Sequence, residues 1–154
     1  MTQITEIDKL VDEALTMTGI ETNHPDIIVI KNYAFKKPVL IDATKFLQIL
    51  VNIIKNAKDS LQESTQHAKK IKIEIKNNEQ HFFVDIFDNG VGIPEDRVTK
   101  IFSYGFTTKK EGHGFGLHAS SLAAKELGGS LSVKSDGLNQ GATFTLEMPL
   151  EYPK

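Results

Sequence analysis

The chain has 154 residues, 40% hydrophobic and 25% charged, a balance that predicts one globular domain with its own core. Its net charge of -2, with the signs mixed along the sequence, leaves no concentrated basic face and argues against broad nucleic-acid binding. Cysteine is absent, which excludes disulfides, cysteine-bound zinc and thiol catalysis, and no apolar run approaches the ~20 residues of a membrane span or the core of a signal peptide.

Residues 5–18 place Ile7, Leu10, Val11, Ala14 and Leu15 at helical spacing, with Thr5 as the expected N-cap and Gly19 as the stop. Residues 26–33 are β-branched and predict a strand, and Val39-Leu40-Ile41 predicts a second, short one. Asp42 or Thr44 then caps a long helix to about residue 65, with Phe46, Ile49, Leu50, Ile53, Ile54, Ala57 and Leu61 on its buried stripe. Strands are expected over 71–76 and 81–87, joined by Asn77-Asn78-Glu79-Gln80, and a short helix follows Pro94. From 101 to 114 no period holds, and a segment of that length without structure of its own is usually functional. Helix returns over 115–127 and stops at Gly128-Gly129, before strands at 130–135 and 142–148. The order α-β-β-α-β-β-α-loop-α-β-β predicts helices layered on one face of a mixed sheet.

Three segments carry chemistry. The apolar run of residues 82–87 leads into Asp88-Asn89-Gly90-Val91-Gly92-Ile93, a strand ending in a carboxylate and then losing its side chains at two alternate positions. Glycine permits unusual backbone conformations and close approach of a flat ligand, and the Asp supplies an acceptor for a purine amino group. Alone, the segment is equally a plain turn. Asn52 and Asn56 lie four apart and share a helix face, which Asp59 can join. Amide oxygens suit magnesium, which keeps most of its waters and shares phosphate oxygens, although boundary residues bonding neighbouring loops give the same pattern. Gly112-His113-Gly114-Phe115-Gly116-Leu117 opens a helix whose N–H groups and dipole favour an anion. Its spacing differs from the dinucleotide fingerprint, and Walker and protein-kinase motifs are absent, so a glycine hinge is its plain reading. Between these segments, Lys109 and Lys110 can meet a phosphate as point charges. A calcium loop through Asp85, Asn89, Gly90 and Asp96 fails because Phe87 occupies an oxygen position, and the five histidines lack zinc-site spacing.

In this order the segments resemble the ATP-binding catalytic domain of sensor histidine kinases, in the superfamily shared with gyrase, mismatch-repair ATPases and a heat-shock chaperone. Asn52-Ile53-Ile54-Lys55-Asn56-Ala57 is similar to the N box, residues 88–93 to the G1 box, residues 101–109 to the F box, residues 112–117 to the G2 box, and Gly141-Ala142-Thr143-Phe144 to the closing strand motif. The likeness spans residues 5–150. It implies an α+β fold, a two-layer sandwich of the Bergerat type with a mixed, mostly antiparallel sheet and helices on one face. Residues 1–154 would be one catalytic domain, with residues 1–20 as the end of a linker from a dimerisation domain.

The resemblance also implies roles. Asp88 would accept from the adenine amino group, helped by a water held near Thr143. Asn56 would coordinate magnesium, with Asn52 and Asp59 on the same face. Gly90, Gly92 and Ile93 would follow the nucleotide. Residues 101–114 would form the ATP lid, bringing Phe102, Thr107, Thr108 and Lys109 to the site. Gly112, His113, Gly114, Phe115, Gly116 and Leu117 would seat the phosphates, although His113 and Phe115 depart from the commoner Thr or Ser and Leu.

Hydrolytic branches carry a Glu four residues before the magnesium Asn, whereas Asn52 stands here, and an amide cannot take a proton at neutral pH. The implied activity is therefore transfer of the γ-phosphoryl group of Mg-ATP to a histidine, with Asn52, Asn56 and Lys109 as the catalytic set. None of the chain's own histidines has the phosphoacceptor context, so the acceptor would lie in a separate dimerisation domain, with a response regulator downstream. The domain would be cytoplasmic, without membrane or nucleic-acid contact of its own, whether or not a parent protein is membrane-anchored. The alternatives are a serine kinase of the same fold, a non-catalytic nucleotide-binding interaction module and, last, a hydrolytic ATPase.

Overall fold

Period-two alternation builds the sheet, and one long helical stripe covers it. The computed structural model describes residues 1–103 and 116–151. In chain order these form β1 (Gln3–Thr5), α1 (Ile7–Thr18), α2 (Ile20–Asn23), β2 (Ile27–Tyr33), β3 (Val39–Ile41), α3 (Ala43–Glu63), β4 (Lys69–Asn77), β5 (His81–Asp88), α4 (Glu95–Val98), α5 (Gly116–Glu126), β6 (Ser130–Lys134) and β7 (Ala142–Pro149). The main sheet runs β2-β4-β5-β7-β6. Only β2 and β4 are parallel within it; β4–β5, β5–β7 and β6–β7 are antiparallel. A parallel pair needs a long crossover, and α3 lies within this one.

The expected two-layer α+β architecture is present. Ile71, Ile73 and Ile75 of β4, Phe82, Val84 and Ile86 of β5, and Phe144, Leu146 and Met148 of β7 are buried on one face. Against them lie Phe46, Ile49, Leu50, Ile53, Ile54, Ala57 and Leu61, the seven α3 residues expected in its stripe. Phe82 stacks on Phe35 and meets the ring of Phe46 edge-on, at centroid separations of 6.0 and 5.9 Å. The opposite sheet face mixes polar and apolar side chains, with Lys72–Glu74 and Lys76–Asp85 ion pairs on it.

Two details differ from expectation, and a third settles an open choice. Thr5 does not cap α1; it ends β1, which pairs with β3 in a separate two-stranded sheet, and its hydroxyl donates to the Gln3 carbonyl. Glu6 holds the N-cap position without a side-chain capping bond; its carboxylate pairs with Lys9 at 2.9 Å instead. One extra turn, α2, follows Gly19, whose φ of 67° closes α1 as expected. Of the two proposed caps of α3, Asp42 serves, accepting from the Lys45 N–H at 3.1 Å. Among the described residues no helix is long and apolar enough to cross a membrane.

Candidate functional site

The helix-facing row of β5 is Phe82, Val84, Ile86 and then Asp88, so the alternation that buries three apolar side chains also buries a carboxylate. Asp88 is 1% exposed. Such a group is expensive to bury unless donors meet it. Two neutral donors do: the Gly90 N–H at 2.9 Å and the Ser60 hydroxyl at 3.0 Å, both on Oδ1. Burial outweighs them and pushes the Asp88 carboxyl up from 3.8 to about 6.

The turn after Asp88 lies directly on α3. A Cβ on Gly90 would collide with the Ser60 side chain and come within 2.7 Å of its carbonyl carbon and oxygen. Only a residue without a side chain lets the two backbones approach this closely. Gly92 has φ +70°, and a Cβ there would meet the carbonyl oxygen of Gly137. Packing against protein thus requires both glycines. Val91 N–H donates to Ser60 Oγ at 3.1 Å, and Ile93 N–H to Ser135 Oγ at 2.9 Å, which fastens the stretch to the 135–141 turn. Asn89 latches the start of β4: its Oδ1 accepts from Lys70 N–H at 2.8 Å and its Nδ2 donates to the Ala68 carbonyl at 2.6 Å.

On α3, Asn52, Asn56 and Ser60 follow one another at four-residue intervals and form one ridge. Asn52 Nδ2 donates to the hydroxyl of buried Ser120 on α5 at 3.2 Å, bridging the two helices. Asn56 is half-buried, one turn from the hydroxyl that holds Asp88, and its amide has no hydrogen bond among the described residues. Asp59 is also half-buried on this helix. Gly116 begins α5, and Leu117 packs against the core. His118 Nδ1 donates to the Phe102 carbonyl at 3.0 Å, while the Phe102 ring meets Phe144 edge-on. Thr107, Thr108, Lys109, Gly112, His113, Gly114 and Phe115 lie outside the described residues.

The expectation for Thr143 is corrected by the register. Thr143 pairs with Phe87, and Ala142 pairs with Asp88. Because side chains alternate along a strand, Thr143 shares the outer face with Phe87 and points away from the Asp88 carboxylate. A water bound at Thr143 is therefore on the wrong side of the sheet to assist it. Ser60 and Ser120 were not anticipated. Ser60 had a readable signal, since it continues the Asn52–Asn56 spacing by one further turn.

The fold has counterparts. The chain belongs to the family of histidine kinase-, DNA gyrase B-, and HSP90-like ATPases, whose profile matches residues 41–152. The sensor protein CitS of Halalkalibacterium halodurans is 39% identical over 104 residues, 67% of this chain and 19% of CitS. The aerobic respiration control sensor protein ArcB of Escherichia coli is 35% identical over 118 residues, 70% of this chain and 14% of ArcB. The chain thus spans a minor part of the curated relatives it matches. The catalytic domain of the histidine kinase ThkA superposes with a TM-score of 0.84 at 25% identity, over 98% of this chain and 99% of that one. The mycobacterial sensor histidine kinase MprB shares the fold, with a TM-score of 0.83 at 18% identity. The likeness to histidine-kinase catalytic domains expected from the motifs is borne out.

Proposed function

We propose that the domain binds Mg-ATP and passes the γ-phosphoryl group to a histidine on a dimerisation domain outside this chain, as the catalytic part of a two-component sensor kinase. One observation supports the adenine end of this reading above others. Asp88 is buried at the end of the central strand, and both its bonds among the described residues fall on Oδ1, which leaves Oδ2 acceptor capacity for an amino group.

The residues present fit magnesium. Among the described residues no group of three or more His, Cys, Asp or Glu side chains is arranged to hold a metal. Magnesium instead favours one or two protein oxygens together with phosphates and waters, and the amide of Asn56 suits that role. When bound, the ion would neutralise charge on the triphosphate. Asn52, oriented by Ser120, would lie beside it without acting as a base, which disfavours activation of water. In the transfer itself the N–P bond to the acceptor imidazole forms as the bond from the γ-phosphorus to the β–γ bridging oxygen breaks, and ADP departs. Positioning and electrostatics supply most of the rate in such reactions.

Further assignments belong to the same reading. Phe102 would start the lid, Thr107, Thr108 and Lys109 would reach the phosphates, and residues 112–117 would seat them. The phosphorylated histidine would then serve a response regulator, on the cytoplasmic side of any membrane that anchors a parent chain. Incubation with γ-labelled ATP and a histidine-bearing dimerisation domain tests the proposal. Acid-labile label on that domain is expected. Acid-stable label would mean a hydroxyl acceptor, and no label with nucleotide bound would overturn the transfer.

A further inference from the structure

Ser60 joins α3 to the turn after β5. Its Oγ accepts from the Val91 N–H at 3.1 Å and lies 3.0 Å from Asp88 Oδ1. A hydroxyl has a single proton, and with the Val91 N–H already directed at the oxygen, that proton is committed to the carboxylate. The Gly90 N–H delivers a second donor to the same Oδ1. Oδ1 is thereby occupied by two donors, and an added proton would have to reside on Oδ2. That changes what the site reads. A carboxylate Oδ2 accepts from an amino group; a protonated Oδ2 donates, and so suits a keto oxygen instead.

We propose that Ser60 is a positioning residue for Asp88, committing the carboxylate to act as an acceptor and thereby setting the site's choice of a 6-aminopurine over a 6-oxopurine. This rests on the reading of Asp88 as the purine-binding group. Burial raises the affinity of Asp88 for the proton, and the Gly90 N–H and the Ser60 hydroxyl lower it. Removing the hydroxyl therefore leaves Asp88 with one opposing donor, and its midpoint moves further up.

The experiment compares the unsubstituted domain with Ser60→Ala, Ser60→Thr and Asp88→Asn, by titrating ADP and GDP between pH 5 and 9. Carboxyl-carbon NMR follows Asp88 in the free protein. Alanine favours helix, so Ser60→Ala keeps α3 intact. Ser60→Ala should raise the Asp88 midpoint by about one pH unit, equivalent to about a tenfold change. ADP affinity should then decline from a correspondingly higher pH, and the ADP-to-GDP preference should narrow about tenfold near neutrality. Ser60→Thr, which keeps the hydroxyl, should restore both. An unchanged midpoint and preference in Ser60→Ala, with Asp88→Asn losing ADP, would overturn the role of Ser60 alone. ADP bound equally well by Asp88→Asn and the unsubstituted domain would remove the purine reading and this inference together.

Discussion

Asp85 and Asp88 sit three residues apart on β5 and have opposite surroundings. Asp85 faces outward, where Lys76 Nζ lies 3.0 Å from one oxygen and the Thr145 hydroxyl donates to the other at 2.7 Å. Asp88 faces the helices, receives only neutral donors among the described residues and is pushed up to about 6. The odd spacing places the pair on opposite faces of one strand. A carboxylate matched by a cation is committed to the protein; one buried without a cation keeps free energy in reserve for a ligand. Perturbed groups of the second kind cluster at functional sites.

Substitutions can break or sharpen this contrast. The largest effect belongs to the inner face itself: Phe82→Ala should destabilise the domain by about 4 kcal/mol, and Phe83→Ala on the outer face by less than half as much, measured by denaturant unfolding. Asp88→Asn comes next, with two opposite consequences. ADP affinity should fall by about 100-fold, since a hydrogen bond to a charged group is lost. The free domain near pH 7 should become more stable by up to about 3 kcal/mol, because the folded midpoint of about 6 lies above the usual 3.8. The sign follows from proton binding: the folded state takes up the proton first, so the unsubstituted domain gains stability as pH falls from about 7 toward 4. The advantage of Asp88→Asn should vanish over that interval, which thermal unfolding against pH reports.

A double-mutant cycle of Asn52→Ala and Ser120→Ala should give a coupling of about 1 kcal/mol, as expected of one partly buried hydrogen bond. The smallest effect is expected for Asp85→Asn. Removing this partly exposed ion pair should cost under about 1 kcal/mol and leave ADP affinity unchanged. A loss of nucleotide binding there would erase the distinction between the two aspartates.

The long elements were legible because their periods are strong: the α3 stripe and the alternating strands β4, β5 and β7 follow directly from residue pattern. β1 was not, since three residues are too few to display a period. Thr143 shows a different failure. Motif likeness conveys which residue types recur but not the sheet face on which each one falls; the β5–β7 register decides that, and it turns Ala142 toward Asp88. Gly90 was singled out for close backbone approach, and one backbone that approaches it belongs to Ser60, a neighbour the residue pattern did not name. Ser60 itself escaped notice because serine is chemically unremarkable until a tertiary contact brings it to a buried carboxylate.

The central claim is that a buried acceptor at the end of β5 selects adenine. Calorimetric titration of the unsubstituted, folded domain with ADP and with GDP, in magnesium at pH 7.5, tests it most directly. The account predicts saturable heat with ADP and binding of GDP weaker by at least about tenfold. Equal affinity for the two nucleotides, or no heat with ADP, would contradict it.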